Sequence, residues 1–308
     1  MRKFATRLTV FALVMITSAF AMQALLSYRI KGKTISSDDN IEITEQQNAD
    51  LVFLGSSRCW VHFDPNFFKD QFHLKSVNLG VNGHSEVAAS IIRLKVYLAE
   101  NKVPKFAVLN LDPFMNAEIK DQHLVQKDLY ARYAYFSKQS NRPIVSYFEY
   151  TFAEKYIPLY AIFKYQLLQK SLFPKNDGRD LYGFGLNDEN WDTIKNPPTN
   201  LMKKYFLKPG QAQNLETALA SLQKICKDKN IKLLCIQTPV YKVLQDEFVF
   251  SKTAVICENL GIPFIDANIP SIRNDIRNFY NSNHLNKNGV AKLNAFFSEN
   301  AALDAFLQ

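Results

Sequence analysis

The alternation of short apolar runs with amphipathic helical patterns is the sequence feature that most constrains the fold. The predicted strands occupy residues 51–54, 76–79, 106–111, 231–236 and 263–265, and all but the short second one are mainly apolar. Between the second and third runs, apolar side chains recur at α-helical spacing over residues 87–98, behind Ser85 as the expected N-cap. Strands that alternate with helices favour a parallel sheet with helices on both faces. The sequence therefore predicts an α/β fold, a three-layer sandwich with a central parallel sheet.

Residues 113–210 interrupt this alternation. Tyrosine and phenylalanine are frequent at helical spacing between residues 147 and 165, and Pro158 breaks the pattern. We expect a helical insertion whose rings either pack over the sheet, or form a cap that shapes a substrate cleft or docks on a membrane or a partner. The alternation then resumes with a helix face that begins at Leu215, a helix over residues 243–260 and a closing helix.

The N-terminus contains an apolar segment long enough to cross a membrane. Residues 8–28 are uncharged and follow the basic residues Arg2, Lys3 and Arg7. At about 1.5 Å per residue, a helix of this length spans roughly 30 Å, the thickness of the hydrocarbon core. A cleaved signal peptide is the alternative, because residues 19–21 read Ala-Phe-Ala, a small-residue cleavage pattern. The apolar run continues beyond that pattern, which favours a retained anchor.

These patterns divide the chain into an anchor or signal over residues 1–33, a polar linker over 34–49 and an α/β domain over 50–308, with 113–210 as the insertion. Basic residues flank the apolar segment on both sides, so they do not fix its orientation. The signal-like order of basic residues, apolar run and polar stretch favours export of the α/β domain. We expect a single-pass protein of the bacterial cytoplasmic membrane with this domain in the periplasm or outside the cell, or alternatively a secreted protein.

Composition narrows the classes of partner and cofactor. The net charge of +8 suits an anionic membrane surface, an acidic polymer or nucleic acid, or is simply a solvated basic surface. The sequence holds no nucleic-acid motif and no dense Lys/Arg run, so we expect no nucleic-acid partner. It holds no glycine-rich phosphate loop and no HExxH or similar metal cluster, so we expect no cofactor. The four cysteines lack metal-ligand spacing and are expected to be buried thiols.

Two polar segments at predicted strand ends carry the residues with chemical potential. Ser56, Ser57 and Arg58 follow the first strand, and His284 lies in a loop before the closing helix. In parallel sheets, functional residues gather at the carboxyl edge. A serine needs a base to become a nucleophile, and histidine is suited because its pKa lies near neutrality. Folding is expected to bring Ser57 to His284, although either serine could serve only as a helix cap. Arg58 either binds an anionic group or forms an ion pair within the fold.

Three segments, in order, resemble the sequence blocks of the SGNH, or GDSL-like, hydrolase superfamily. They are Leu54-Gly55-Ser56-Ser57-Arg58, Asn78-Leu79-Gly80-Val81-Asn82-Gly83, and Asn281-Ser282-Asn283-His284-Leu285-Asn286 followed by Gly289. The chain is similar in particular to the membrane-anchored bacterial branch with the teichoic-acid D-alanyl transfer protein and the alginate O-acetylation proteins. The resemblance implies a flavodoxin-like three-layer fold, Ser57 as nucleophile and His284 as base. It also implies an oxyanion N–H from Gly83, beside Asn82.

Two positions depart from the pattern of the family. Residues 110–114 stand where the family has Gly-x-Asn-Asp, which leaves the oxyanion asparagine unassigned, with Asn110 and Asn116 as candidates. Asn281 stands where the family has an aspartate. An asparagine can hold an imidazole in place, but it does not stabilise the imidazolium as a carboxylate does.

Three explanations for the asparagine at position 281 lead to different functions. Another carboxylate, Asp266 or Asp112, reaches His284 from a neighbouring strand end. Alternatively, a Ser–His dyad with an amide orienter catalyses slow acyl transfer. In the third explanation the site is degenerate, and the domain binds or acts as a scaffold in envelope polysaccharide assembly.

The resemblance implies an esterase or acyltransferase that acts on acyl groups of a cell-envelope polysaccharide or on a small acyl donor. A multi-spanning membrane acyltransferase is the natural partner in such systems. The acyl group, the acceptor and the direction of transfer do not follow from the sequence.

Overall fold

The structure, a computed structural model, describes residues 2–30, 47–81, 85–114, 151–164, 167–173 and 182–308. The chain divides into two units. The first comprises Met1–Glu42 and His123–Asp177, and the second comprises Ile43–Gln122 and Gly178–Gln308. Most of the expected linker lies outside the described residues. So do the aromatic residues Tyr147, Phe148 and Tyr150 of the expected insertion.

Five parallel strands form the central sheet of the second unit. They are β1 (Leu51–Leu54), β2 (Ser76–Asn78), β3 (Phe106–Asn110), β4 (Lys232–Gln237) and β5 (Phe264–Asp266). Their order across the sheet is β2-β1-β3-β4-β5, and each neighbouring pair is parallel. This is the flavodoxin-like strand order. A separate antiparallel ribbon consists of β6 (Phe279–Asn281) and β7 (His284–Leu285).

The helices in the described part of the chain precede, connect and follow these strands. They are α1 (Arg2–Ile30), α2 (Ser57–His62), α3 (Pro65–Phe72), α4 (Val87–Glu100), α5 (Phe152–Tyr156), α6 (Tyr160–Lys164), α7 (Leu167–Leu172), α8 (Ala212–Asp228), α9 (Glu247–Asn259), α10 (Pro270–Arg273), α11 (Lys287–Glu299) and α12 (Ala301–Leu307). Short 3₁₀ helices occupy Leu201–Tyr205, Pro209–Gln211, Lys242–Leu244 and Ile276–Asn278.

The two faces of the sheet carry separate apolar cores. Every side chain of β1 is buried, and successive residues point to opposite faces. Val52 and Leu54 pack in the core that also receives α4, α8 and α9. Leu51 and Phe53 pack in the core that also receives α2, α3, α10, α11 and α12. The predicted α/β class, a parallel sheet between two helical layers, is thereby confirmed.

Two helix starts differ from the sequence-based expectation. Glu86, not Ser85, is the N-cap residue of α4, and Ser85 Oγ instead donates a hydrogen bond to the main-chain oxygen of Phe114 at 2.8 Å. The helix expected over 243–260 is split, because the 3₁₀ turn at Lys242–Leu244 precedes α9. Asp246 caps α9 by accepting a hydrogen bond from Val249 N at 3.2 Å.

The first unit contains α1 and the short helices α5 to α7. By length and composition, Arg2–Leu26 could cross a membrane, and a signal sequence meets the same criteria. Most of its apolar side chains are exposed. α7 packs against α1, and α6 packs against α7. Thr151 and Glu154 form a reciprocal capping box at the start of α5.

Candidate active site

The turn from β1 into α2 presents a serine at the carboxyl edge of the sheet. Gly55 has φ +146°, a conformation that side chains other than glycine's rarely adopt. An added Cβ there would lie 2.8 Å from Cys59 Cβ. Ser56 Oγ accepts a hydrogen bond from Arg58 N at 3.1 Å and caps α2. Ser56 is therefore the helix cap, and Ser57 is the first residue of the helix.

Ser57, His284 and Asn281 form a hydrogen-bonded row. Ser57 Oγ lies 2.8 Å from His284 Nε2, and His284 Nδ1 lies 3.0 Å from Asn281 Oδ1. Asn281 and His284 face each other across the β6–β7 ribbon. The three side chains have the relative positions of a nucleophile, a base and the residue that orients the base.

The amide of Asn281 has its oxygen fixed toward the histidine. Asn281 Oδ1 also accepts hydrogen bonds from the main-chain N–H groups of Asn283 at 3.1 Å and His284 at 3.0 Å. A main-chain N–H can only donate, so the atom that receives these bonds must be the oxygen. His284 Nδ1 consequently carries the proton, and Nε2 presents its lone pair to Ser57. The amide thus selects the tautomer that a base requires.

The surroundings of His284 disfavour its charged form. The ring of Tyr280 stacks on the imidazole, with centroids 5.3 Å apart and planes inclined by 9°. Burial, followed by the positive charge of Arg58, lowers the pKa of His284 to about 3. The imidazole is therefore neutral at physiological pH and available to accept a proton.

Arg58 joins the elements that carry the site. Its side chain is 0% exposed. Nε donates to the main-chain oxygen of Asn283 at 3.1 Å, and Nη1 lies 3.4 Å from a carboxylate oxygen of Asp112. Nη2 donates to the main-chain oxygens of Thr238 and Pro239. Arg58 thereby connects α2 to the ends of β3 and β4 and to the loop between β6 and β7, which gives it a positioning role.

The two carboxylates considered as alternative acids have other partners. Asp112 pairs with Arg58 and accepts a hydrogen bond from Ser56 Oγ. Asp266, at the end of β5, accepts a hydrogen bond from Asn268 N at 2.9 Å. The geometry therefore favours the amide as the orienting group over a carboxylate from a neighbouring strand end.

A second histidine, His62, contacts the elements that carry the site. It was not among the residues predicted from the sequence. His62 at the end of α2 is fully buried, and its Nδ1 lies 2.7 Å from Thr238 Oγ1. Its Nε2 accepts a hydrogen bond from Leu285 N at 3.1 Å. Burial, with the charge of Arg58, holds the pKa of His62 well below its ordinary value. His62 thus ties the strand of His284 to α2 as a neutral side chain. The signal for it was a histidine within an otherwise apolar stretch.

A cavity of about 340 Å³ lies beside Ser57. Apolar groups contribute one part of its wall through Phe114, Met202 and Tyr205. Polar groups line the rest, namely Ser56, Ser57, Arg58, Ser85, Glu86, Asp112 and Asn283. In the described ranges, no three His, Cys, Asp or Glu side chains come together as a metal site. The cavity is large enough for a short acyl ester with part of its carrier.

The candidate oxyanion donors are placed only in part. Asn82, Gly83 and Asn116 lie outside the described residues. Asn110 is fully buried at the end of β3, and its Oδ1 accepts a hydrogen bond from Thr238 Oγ1 at 2.9 Å. Its Nδ2 has no hydrogen-bond partner among the residues that the structure describes. Asn78, from the same sequence block as Gly83, binds the main-chain oxygens of α2 through its amide.

The chain is weakly similar to a solved structure. That structure comes from Bacteroides fragilis NCTC 9343 and is described as a candidate acylhydrolase. The two chains share 13% sequence identity with a TM-score of 0.40, over 84% of this chain and 88% of that chain. No protein-family model and no curated protein matches the sequence.

Proposed function

We propose that this chain is a membrane-anchored serine esterase or acyltransferase of the SGNH type. The observation that carries the proposal is the row of Ser57, His284 and Asn281, with 2.8 Å between nucleophile and base and 3.0 Å between base and orienter. The row lies at the carboxyl edge of a parallel sheet and beside a cavity, where catalytic residues of this architecture are found.

In the proposed reaction Ser57 Oγ attacks the acyl carbonyl carbon while His284 Nε2 takes the hydroxyl proton. The tetrahedral oxyanion is stabilised by N–H donors, for which the Ser57 main-chain N–H and Gly83 are proposed. As the intermediate collapses, the bond to the departing alkoxide breaks and the alkoxide receives the proton from His284. The acyl group then passes from Ser57 to water or to an acceptor hydroxyl by the reverse sequence.

Asn281 sets the expected speed of this reaction. The amide fixes the tautomer, but it offers no negative charge to the imidazolium that forms in each step. Arg58 opposes that charge further, since it lowers the pKa of His284. We therefore propose a slow catalyst, suited to transfer between bound partners rather than to rapid turnover of free esters.

The cavity supports an acylated cell-envelope polysaccharide, or a small acyl donor, as the substrate. The apolar wall of Phe114 and Met202 suits an acyl group, and the hydroxyl of Ser85 and the carboxylate of Glu86 suit the hydroxyls of a carrier. The net charge of +8 is compatible with an acidic polymer.

The C-terminal end of α1 packs within the first unit. Gln23 is 1% exposed and Leu26 is 2% exposed, whereas the apolar side chains before them are largely exposed. Leu159 N donates a hydrogen bond to Gln23 Oε1 at 2.6 Å. Cleavage behind Ala21 would keep Gln23 and Leu26, so the retained anchor is favoured instead by the apolar run, which continues past that pattern to Tyr28. We accordingly propose a single-pass protein with an exported α/β unit, and a multi-spanning membrane acyltransferase as its partner.

The test is covalent labelling of the full chain in detergent with a fluorophosphonate, followed by the mass of the intact protein. We expect one adduct in the wild type and in Ser85→Ala, a matched serine of the cavity, and no adduct in Ser57→Ala. His284→Ala should label at least about a hundredfold more slowly, as expected for loss of a general base. An adduct that persists in Ser57→Ala would refute the assignment of the nucleophile.

The second candidate function is a non-catalytic binding or scaffold domain, which the asparagine at position 281 favours. It predicts an unlabelled but folded wild type, and glycan binding that survives the double substitution Ser57→Ala/His284→Ala. Loss of glycan binding in a folded double variant would count against it.

A further inference from the structure

Residues 151–173 present an unusually aromatic surface in the first unit. Phe152 is 73% exposed, Phe163 is 57% exposed and Phe173 is 72% exposed. Tyr156 and Tyr160 are also exposed, and the rings of Phe152 and Tyr156 pack with centroids 4.8 Å apart. Soluble proteins rarely leave so much aromatic area in water without a ligand, a partner or a membrane to cover it.

The same segment is fixed to one end of the candidate membrane span. α7 packs against α1, and the turn between α5 and α6 donates the Leu159 N–H to Gln23 at 2.6 Å. Among the described side chains of α1, Gln23 and Leu26 are buried, and both lie toward its C-terminal end. Phe4, at the other end, is 72% exposed. α5 to α7 therefore lie next to the C-terminal end of α1, where this helix would leave the bilayer.

The position of Gln23 sets the depth of this segment. Gln23 precedes Arg29, the first charged residue after the apolar run, by six positions. At about 1.5 Å per residue the two lie roughly 9 Å apart along the helix axis. The headgroup layer is about 5–8 Å thick on each side of the hydrocarbon core. With residues 8–28 across the hydrocarbon core, Gln23 lies about 7.5 Å and Leu26 about 3 Å inside its edge. Helices that pack on these two residues extend to the boundary between hydrocarbon and headgroups, the level at which aromatic side chains are enriched.

The charges of the segment fit an anionic lipid surface. Its acidic residue, Glu154, is 0% exposed and is neutralised by Lys164 at 2.6 Å and by the capping box with Thr151. The remaining charged residues of this stretch, Lys155 and Lys170, are basic. Aromatic rings combined with lysine are the composition of interfacial helices, and each lysine near such a surface adds attraction to anionic lipids.

We propose that α5 to α7, together with Phe173, lie in the interfacial layer of a lipid bilayer, with Phe152, Phe163 and Phe173 inserted beside the anchor α1. The proposal rests on the retained anchor in the proposed function. It adds a second membrane contact, made by the inserted helices rather than by the span. Such a contact would fix the tilt and rotation of the first unit, which a single helix alone does not determine.

Fluorescence quenching at introduced cysteines tests the insertion. Phe152→Cys, Phe163→Cys and Phe173→Cys are made singly in the full chain, labelled with an environment-sensitive fluorophore and reconstituted in phosphatidylethanolamine–phosphatidylglycerol vesicles. The four native cysteines are buried and should not label. Ile194→Cys, at a 93% exposed apolar position of the second unit, is the control. Circular dichroism checks the fold of each variant.

We expect lipids spin-labelled near the carbonyl level to quench most of the fluorescence at the three phenylalanine positions and little at position 194. If the protein floats with the vesicles but all three positions remain unquenched, the interfacial insertion is refuted while the membrane anchor is retained. Protection of these positions in native membranes but not in lipid vesicles would assign the surface to a protein partner and also overturn it. A protein that fails to float with vesicles would refute the anchor as well. Fluorophosphonate labelling of Ser57 tests the proposed catalytic activity separately, because its outcome does not depend on the depth of the phenylalanines in the bilayer.

Discussion

A carboxylate beside a catalytic histidine selects the tautomer of the ring and stabilises the imidazolium that forms as the reaction proceeds. In the serine-protease triad, replacing this aspartate by asparagine lowers kcat by about ten-thousand-fold because the wrong tautomer results. Here the main-chain N–H groups of Asn283 and His284 fix the oxygen of Asn281 toward the ring. Asn281 therefore still selects the tautomer but does not stabilise the imidazolium. Replacing it by aspartate should restore the missing stabilisation, which can be measured.

Asn281→Asp should raise the activity and move its pH dependence. A hydrogen bond to a charged group is stronger than a neutral one by about 1–2 kcal/mol, which corresponds to roughly tenfold in kcat/KM. In the wild type the pKa of His284 is lowered to about 3, so its neutral form should persist and kcat/KM should stay level from neutral pH to well below it. The new carboxylate favours the imidazolium and raises this pKa, so activity should rise near pH 8 and fall earlier on acidification. Ester hydrolysis measured against pH checks both effects.

The matched control for this experiment is Asn283→Asp, which adds the same charge to the same loop. The Asn283 side chain lies in the cavity wall rather than on His284 Nδ1. An equal gain in the two variants would show that charge alone, and not the orienting position, controls the rate.

At the scale of elements, Asn281 and His284 both lie on the β6–β7 ribbon, and α11 packs against this ribbon. Asn286 Oδ1 caps α11 by accepting hydrogen bonds from Asn288 N and Gly289 N. A Cβ on Gly289 would lie 2.1 Å from the main-chain oxygen of Asn278, just before β6. The helix can approach the ribbon this closely only because residue 289 lacks a side chain.

Gly289→Ala should therefore displace the ribbon from α11. We expect the free energy of unfolding to fall by about 1–3 kcal/mol, as for other overpacked sites, and the rate of Ser57 labelling to fall with it. Unfolding in urea, followed by the fluorescence of Trp60 and Trp191, measures the first effect.

Gly210→Ala is the control for that substitution, because its added Cβ has no atom within 4 Å among the described residues beyond its chain neighbours. Its free energy of unfolding should stay within about 0.5 kcal/mol of the wild type. Unchanged stability and labelling in Gly289→Ala would show that the close approach is not needed.

The elements that a short-range pattern determines were predicted from the sequence. β1 occupies the predicted residues Leu51–Leu54, since four consecutive apolar residues fit a strand buried on both faces. The end of α9 was foreseen because Gly261 follows it with φ +63°. The split before α9 and the cap at Glu86 were not foreseen, because they depend on tertiary hydrogen bonds such as that of Ser85 with Phe114.

The candidate site shows the same division. Family-like motifs pointed to Ser57 and His284, whose separation in the chain hides their contact from any local pattern. His62 and the hydrogen bonds of Arg58 to Thr238 and Asn283 were not predictable, although an ion pair of Arg58 within the fold was one of the two expectations. A fully buried histidine and a fully buried arginine have no periodic signature, and their partners lie at the ends of distant strands.

At the scale of the whole second unit, one buried ion pair connects the parts of the site. Arg58 and Asp112 have side chains that are 0% and 1% exposed, and they link α2 to the segment after β3. Removing both charges from water is costly, and the pair repays that cost only when its remaining hydrogen bonds are made. Arg58 donates to Thr238 and Asn283, and Asp112 accepts from Ser56, so the pair is fully engaged.

Replacing one partner of this pair should therefore leave a buried charge unpaired, which replacing both partners avoids. Arg58→Met leaves the Asp112 carboxylate buried without its partner, so the free energy of unfolding should fall by about 3–5 kcal/mol. Adding Asp112→Asn removes the stranded charge, and the double variant should be destabilised by less than the sum of the two single variants. Urea unfolding of all four proteins gives the coupling energy. The exposed pair of Lys224 and Asp228, with side chains 74% and 57% exposed, is the control and should contribute less than about 1 kcal/mol. Additive losses at Arg58 and Asp112 would mean that the hydrogen bonds of Arg58 to the strand ends, rather than its ion pair, hold the active site together.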